Sequence, residues 1–364
     1  MKKKYLLILV FILSISTFIR CTKSDNSDNY TPILVSNVSV DLTTVPYPKL
    51  SDYHFFDGDI KNQSPTLNVL PYQPASSLFT DYALKKRFVW MPKNTKASYN
   101  SDGTILNLPV GSALVKTFYY DNVQPSNTTK IIETRIMIRK SSGWIFAEYV
   151  WNTEQTEAFL NMAGSYTPIS WKDENNVIKS TNYRIPSQTE CAICHKSNEL
   201  PTPIGIKPQN LNTQYNYNGT SQNQLAKWIQ VGYLENNLPS NITSTVDYND
   251  TSKSLSLRAR SYVDVNCAHC HQSNSHCDYR PMRFAFSETA NPTNMGVCVP
   301  HQDTTIGSGI SGIVVPNNSA RSMLFYRINT SDESYRMPLL GRSMIHIEGV
   351  NLMQQWINSL PPCP

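Results

Sequence analysis

Two pentapeptides constrain this chain more than anything else in it: Cys191-Ala192-Ile193-Cys194-His195 and Cys267-Ala268-His269-Cys270-His271. Two residues between the cysteines put both thiols on one helical turn. The next residue then directs an imidazole from the same side. This is the spacing by which haem c is held: the thiols add to the two vinyl groups of one porphyrin, and the imidazole reaches its iron. With eight Cys and seven His among 364 residues, chance supplies roughly 0.003 copies of the pattern. Two copies predict two covalently bound haems c. Cys191, Cys194, Cys267 and Cys270 are the expected attachment points, and His195 and His271 the expected iron ligands. The competing reading is a metal or redox site built from the two Cys pairs. A zinc ribbon spaces such pairs by about 15–20 residues, whereas 72 residues separate Cys194 from Cys267. A thioredoxin-like pair wants a βαβ setting, which the sequence does not suggest.

The far side of each iron reads differently. Met337 lies 66 residues after His271, in Arg336-Met337-Pro338-Leu339, just before a last amphipathic segment. A Met on a Pro-bearing loop followed by a C-terminal helix is the layout of a class I cytochrome c. Met337 is therefore the expected sulfur ligand of the second iron, with Met323 and Met344 as rivals; a thioether there raises the potential. Between Lys196 and Ala268 there is neither His nor Met, so the first iron has no local sulfur or imidazole. It is five-coordinate, or bound by a weaker donor such as Lys196, Lys207 or a Tyr, or reached from elsewhere. The distant candidates are His269, His276, Met282, His301 and His346 in the second module. In the first half they are His54, Met91, Met137 and Met162.

The N-terminus predicts export. Lys2, Lys3 and Lys4 precede an apolar run from Tyr5 to Ile19, which reads as a secretion signal over residues 1–20 and is short for a transmembrane span. Cys21 and the polar stretch after it resemble a bacterial lipoprotein signal, although Arg20 stands where a small residue is usual. The expectation is a periplasmic or cell-surface protein with a possible lipid anchor at Cys21. The net charge of +5 comes largely from this segment: of 32 basic residues Lys2, Lys3, Lys4 and Arg20 lie in it, leaving 28 against 27 acidic ones. A mature net charge of +1 gives no electrostatic case for nucleic-acid binding. In an oxidising compartment the leftover Cys277, Cys298 and Cys363 suggest a Cys277–Cys298 bridge, worth about 3 kcal/mol on the chain-entropy estimate, with one thiol left over.

Hydrophobic patterning predicts an α+β chain: an N-terminal antiparallel β-sandwich-like domain, then a mainly helical dihaem cytochrome c-like half. Residues 21–45 read as tether, 46–180 as the β-rich domain, 181–254 as the first haem segment and 255–364 as the second haem domain. Thr104–Val110 and Ala113–Tyr120 read as extended runs meeting near Gly111. Ile131–Arg139 alternates with period two, a half-buried strand, and turns through Ser141-Ser142-Gly143 into Trp144–Trp151. Short helices are expected around Gln224–Val231, from Leu255 into Cys267, and from Val350 to Leu360. The segment after 185 is loop-rich enough to share its core with a neighbour. Lys85-Lys86-Arg87 reads as a solvated strand or turn edge, or else as a docking patch.

Several further motifs resemble a family of exported bacterial dihaem c-type cytochromes. They include Leu78-Phe79-Thr80-Asp81-Tyr82-Ala83, Leu108-Pro109-Val110-Gly111, Glu133-Thr134-Arg135, Tyr149-Val150-Trp151-Asn152, both pentapeptides, Arg336-Met337-Pro338 and Trp356-Ile357. The resemblance covers roughly residues 70–360. It implies two haems and a C-terminal domain like class I cytochrome c, and it supplies no substrate. The leading expectation is electron transfer outside the cytoplasm with a redox partner protein. One alternative is a dihaem enzyme, peroxidase-like or an oxidoreductase subunit, with an open first haem. Another is a surface protein whose β-domain binds glycan through Trp90, Trp144 and Trp151.

Overall fold

The computed structural model describes residues 35–303 and 309–364; the expected secretion signal over residues 1–20 and Cys21 lie outside the described residues. A two-stranded ribbon, β1 (Phe56–Asp57) with β2 (Ser64–Pro65), precedes the main sheet. That sheet is eight-stranded and antiparallel. It consists of β3 (Leu70–Pro71), β4 (Leu84–Trp90), β5 (Ala113–Val123), β6 (Thr128–Lys140), β7 (Gly143–Trp151), β8 (Ala158–Leu160), β9 (Ser165–Lys172) and β10 (Ile178–Ile185). The long strands β5, β6 and β7 pair in sequence order, as the Ile131–Trp151 hairpin pattern predicts.

The main sheet is continuous, and coil and helix cover much of its two faces. The β9–β10 hairpin, joined to β5 by a single pair, also packs Ile169, Trp171, Tyr183 and Ile185 against Phe118, Tyr120 and Ile132. On one face Val115, Ile136, Ile138 and Tyr149 pack against Leu50, Tyr53 and Phe55. The stretch Ser36–Val45, expected to be tether, joins this core through Val38, Val40, Leu42 and Val45. On the other face Leu114, Met137 and Trp144 pack against Ile206, Leu225 and Trp228. The segment 181–254 thus shares its core with the sheet. Trp144 and Trp151 are both buried, so these rings serve the two cores and are closed to a sugar. Strand β6 is buried on both faces, not half-buried, and it carries the fully buried Glu133.

Thr104–Val110 forms no strand. A single bridge joins Asn107 to Ser98, and the Leu106 N–H donates to the Ile206 carbonyl instead of a sheet neighbour. Gly111 makes the turn into β5 at φ +93°, where a Cβ would lie 2.7 Å from Pro92 Cγ.

All six α-helices among the described residues follow the sheet. They are α1 (Gln188–Cys194), α2 (Pro208–Leu211), α3 (Gln224–Gln230), α4 (Leu255–Asn266), α5 (Met323–Ile328) and α6 (Ile347–Asn358). None is long and apolar enough to cross a membrane. Helices α4 and α6 pack through Ala259, Tyr262, Val263, Met353 and Trp356; Gly349 permits the approach, since a Cβ there would overlap the Tyr262 hydroxyl. Ser36–Pro364 form one compact unit.

Asp81 fastens the C-terminal loops to the sheet region. Its buried carboxylate accepts from the Ser343 N–H (2.7 Å), the Ser343 hydroxyl (2.7 Å) and the Met344 N–H (2.8 Å). Hydrogen bonds to a charged acceptor are worth about 1.5–3 kcal/mol each, and their donors become costly once orphaned. Asp81→Ala is expected to lower the unfolding free energy by about 3 kcal/mol in chemical denaturation, with Asp81→Asn losing less.

Candidate functional site: two adjoining clefts

The first pentapeptide begins on α1. Ser187 caps this helix through a reciprocal box with Glu190, whose carboxylate also takes Arg184 at 2.7 Å. Cys191 and Cys194 lie one turn apart on α1, and His195 ends it. The His195 Nδ1 sits 3.1 Å from the Thr202 carbonyl oxygen. A carbonyl there calls for the proton on Nδ1, which leaves the Nε2 lone pair free for a metal. Burial pulls the His195 pKa down to about 4, so the ring is neutral at ordinary pH.

The second pentapeptide follows α4 without a break. Ser254 caps that helix, and the Cys267 N–H still donates to Val263. The two polar residues before it anchor the motif. Asp264 Oδ1 accepts from the Phe286 N–H (3.0 Å) and Gln209 Nε2 (3.2 Å), with Lys207 Nζ at 3.4 Å. Asn266 Oδ1 accepts from the Phe79 N–H at 2.9 Å. Burial pulls His271 down to about 4 and pushes the Cys267 thiol up to about 12. His269 and His271 each bury an Nδ1 that has no hydrogen-bond partner.

Each motif lines its own cleft. The first cleft encloses about 1420 Å³, partly open to solvent, and is lined by Cys191, Cys194, His195, Met137, Phe146 and Met162 among others. The second encloses about 1090 Å³ and is lined by Cys267, Cys270, His271, Met337, Met323 and Phe284 among others. Both are partly open to solvent, and both linings are largely apolar. Cys194, His269, Pro338 and Leu340 line both clefts. At this shared wall Cys194, His269 and Cys270 offer ligand atoms all within 4.8 Å of one another. A hydrogen bond between the two thiols favours the thiolate at Cys194 and the protonated form at Cys270.

Met337 shares a cleft with His271. Its loop is held by the buried Arg342 guanidinium, which donates to the carbonyls of Met337 (2.9 Å), Met344 (3.1 Å) and Arg327 (2.9 Å). Of the rival sulfurs, Met323 lines this cleft and Met344 does not. Among the candidate donors for the first cleft, Met137, Met162 and His269 line it. Met162 Sδ accepts from the Glu148 N–H at 3.3 Å. His276, Met282 and His301 belong to the second cleft. His346 is stacked on Phe79 at 4.2 Å, Lys196 pairs with Glu199 and Lys207 with Asp264. Met91 is core, and His54 is exposed.

Two expectations are corrected. The disulfide joins Cys298 to Cys363, and Cys277 is a free, buried thiol. Within Lys85-Lys86-Arg87, Lys86 is exposed as expected of a solvated edge, but Arg87 is 7% exposed and lines the first cleft. Sequence reasoning assigned no role to Asp264, Asn266, Thr202 or Arg342; the partners of Asp264 and Asn266 are set by long-range packing. Comparison with protein-family models, curated proteins and solved structures finds no match for this chain.

Proposed function

We propose that this protein is an exported dihaem c-type cytochrome that passes electrons outside the cytoplasm. Haem would be held at Cys191 and Cys194 with His195, and at Cys267 and Cys270 with His271 and Met337. The observation that carries this reading is that each pentapeptide lines its own cleft, and that the clefts share a wall. Their chemistry suits the group. Both walls are largely apolar, both imidazoles are held neutral by burial, and Thr202 orients one of them. Haem supplies one-electron exchange when bound. The chain's own part is to set distance, exclude water and orient the ligands. On this reading the C-terminal portion, with α4 and α6 crossing beneath the second motif, is the cytochrome c-like module. The Cys298–Cys363 disulfide supports a compartment outside the cytosol. A redox partner protein follows from the function, as does attachment to a membrane if Cys21 carries lipid.

A second reading has an observation of its own: Cys194, His269 and Cys270 are close enough to share one metal ion. That trio leaves Cys191, Cys267, His195 and His271 without a role, whereas two haems use all of them.

The test is to mature the full chain in a host that attaches haem in its periplasm, then count haem per chain by mass and absorbance. Two haems are expected; a colourless protein carrying zinc would establish the second reading instead. Met337→Ala is expected to remove the sulfur-to-iron band of the second haem and lower its potential. If the band survives, Met323 is the next sulfur in that cleft.

A further inference from the structure

A row of charged side chains crosses the sheet face behind the first cleft. The strand register sets Arg87 opposite Lys116, Lys116 opposite Arg135 and Arg135 opposite Glu148. All four line the cleft. Like charges directly opposite on neighbouring strands repel one another, so three cations in succession need an anion.

The carboxylates nearby do not supply it. Glu133 takes Arg135, with Nε and Nη2 at 3.0 and 2.5 Å. Glu148, 2% exposed and without a hydrogen bond to either carboxylate oxygen, has Arg135 as its nearest cation too, at 3.6 Å. Arg184 is held by Glu190. Arg87 and Lys116 are left over. Arg87 is 7% exposed, and among the described residues its guanidinium makes no hydrogen bond or ion pair. The Lys116 ammonium lies 4.7 Å from the Phe118 ring centroid and makes no ion pair either. Burial, and then the neighbouring cations Arg87, Lys85 and Arg135, pull the Lys116 pKa well below its usual range. A buried cation is stable only when paired.

We propose that Arg87 and Lys116 form an oxyanion seat in the first cleft. The Cβ atoms of residues directly opposite on paired strands stand about 5 Å apart, so both long side chains start from neighbouring points on the cleft wall and one oxyanion can be reached by both. A guanidinium fork beside an ammonium suits such a group. The oxyanion has two possible sources. One is a carboxylate of the porphyrin attached at Cys191 and Cys194, and this source rests on the dihaem reading above. The other is a small free oxyanion entering from solvent.

The experiment uses the haem-loaded full chain and its Arg87→Met, Lys116→Met and charge-keeping Arg87→Lys variants. Both haem potentials are measured with and without inorganic phosphate at constant ionic strength. If the porphyrin fills the seat, phosphate leaves the wild type unchanged. Each Met variant then lowers the first haem's potential alone, keeps both haems by mass, and Arg87→Lys restores part of the shift. If a free oxyanion fills it, phosphate moves the first haem's spectrum or potential saturably, and its affinity falls at least tenfold in each Met variant. Unchanged potentials together with no saturable phosphate response overturn the seat while leaving the dihaem reading intact. Should the protein mature without haem at the first motif, calorimetry with phosphate still decides: tenfold weaker binding in the Met variants supports the seat, and no binding to wild type overturns it. If Arg87→Met does not fold, the less buried Lys116→Met carries the test.

Discussion

Replacing Cys267 and Cys270 by alanine is expected to leave one haem per chain where the parent has two, and the haem lost is the one with a sulfur-to-iron band. The mirror variant, Cys191→Ala with Cys194→Ala, keeps that band and loses the other haem. The expectation follows from how the clefts are built. Each has its own helix entering it, α1 or α4, its own imidazole, and a wall largely its own. Removing one pair of thiols leaves the other pair's helix cap, backbone hydrogen bonds and apolar wall in place. A shared metal centre predicts the opposite pattern. Cys194 and Cys270 belong to different pairs, so either double variant would abolish all binding. Haem content by intact mass and metal content by emission spectroscopy separate the two outcomes in one preparation. Loss of all bound cofactor from both double variants would remove the dihaem reading.

What the sequence disclosed was whatever depends on near neighbours along the chain. The hairpin from Ile131 to Trp151 is written in its period of two. Helices α3, α4 and α6 are written in their apolar spacing. The pentapeptides carry their thiols and imidazoles within one turn and needed no tertiary information. The errors have the opposite character. Thr104–Val110 alternates like a strand, yet Leu106 and Leu108 fill the core under the sheet and leave no partner strand beside them. Lys85-Lys86-Arg87 looks like a polar edge. Only the register of β4 on β5 places Arg87 beside Lys116 on the face that backs the first cleft. A signal was present there: Lys116 is a lone charge inside the apolar run Ala113–Tyr120, and Glu133 and Arg135 interrupt another. Charges in a buried strand are seldom free of function or partner. The motif around Asp81 carried no chemistry as a string. In space it ties the loop after Met337 to the sheet region through Ser343 and Met344.

The disulfide gives the second large expectation, because it tests the C-terminal packing and the compartment together. Cys298 and Cys363 are separated by 65 residues. Between them lie α5, the Met337 loop and α6, so most of one wall of the second cleft is held within the closed loop. The chain-entropy estimate for a loop of this length is about 4 kcal/mol. The double variant Cys298→Ser with Cys363→Ser is expected to unfold with a free energy lower by about that amount in guanidinium. Dithiothreitol should lower the parent's stability by a similar increment and leave the double variant unaffected. Thioether links to haem are not cleaved by thiols, so the haems stay attached while the disulfide is reduced. Cys277→Ser should keep the full sensitivity to reductant, because that thiol is unpaired. Had the bridge been Cys277–Cys298, this variant would lose it. The second haem should respond more than the first. Its wall hangs on α6, which the loop closes, whereas the first cleft is backed by the sheet. A weakened sulfur-to-iron band in the ferric Cys298→Ser/Cys363→Ser variant, with the first haem's spectrum unchanged, is the corresponding spectroscopic result.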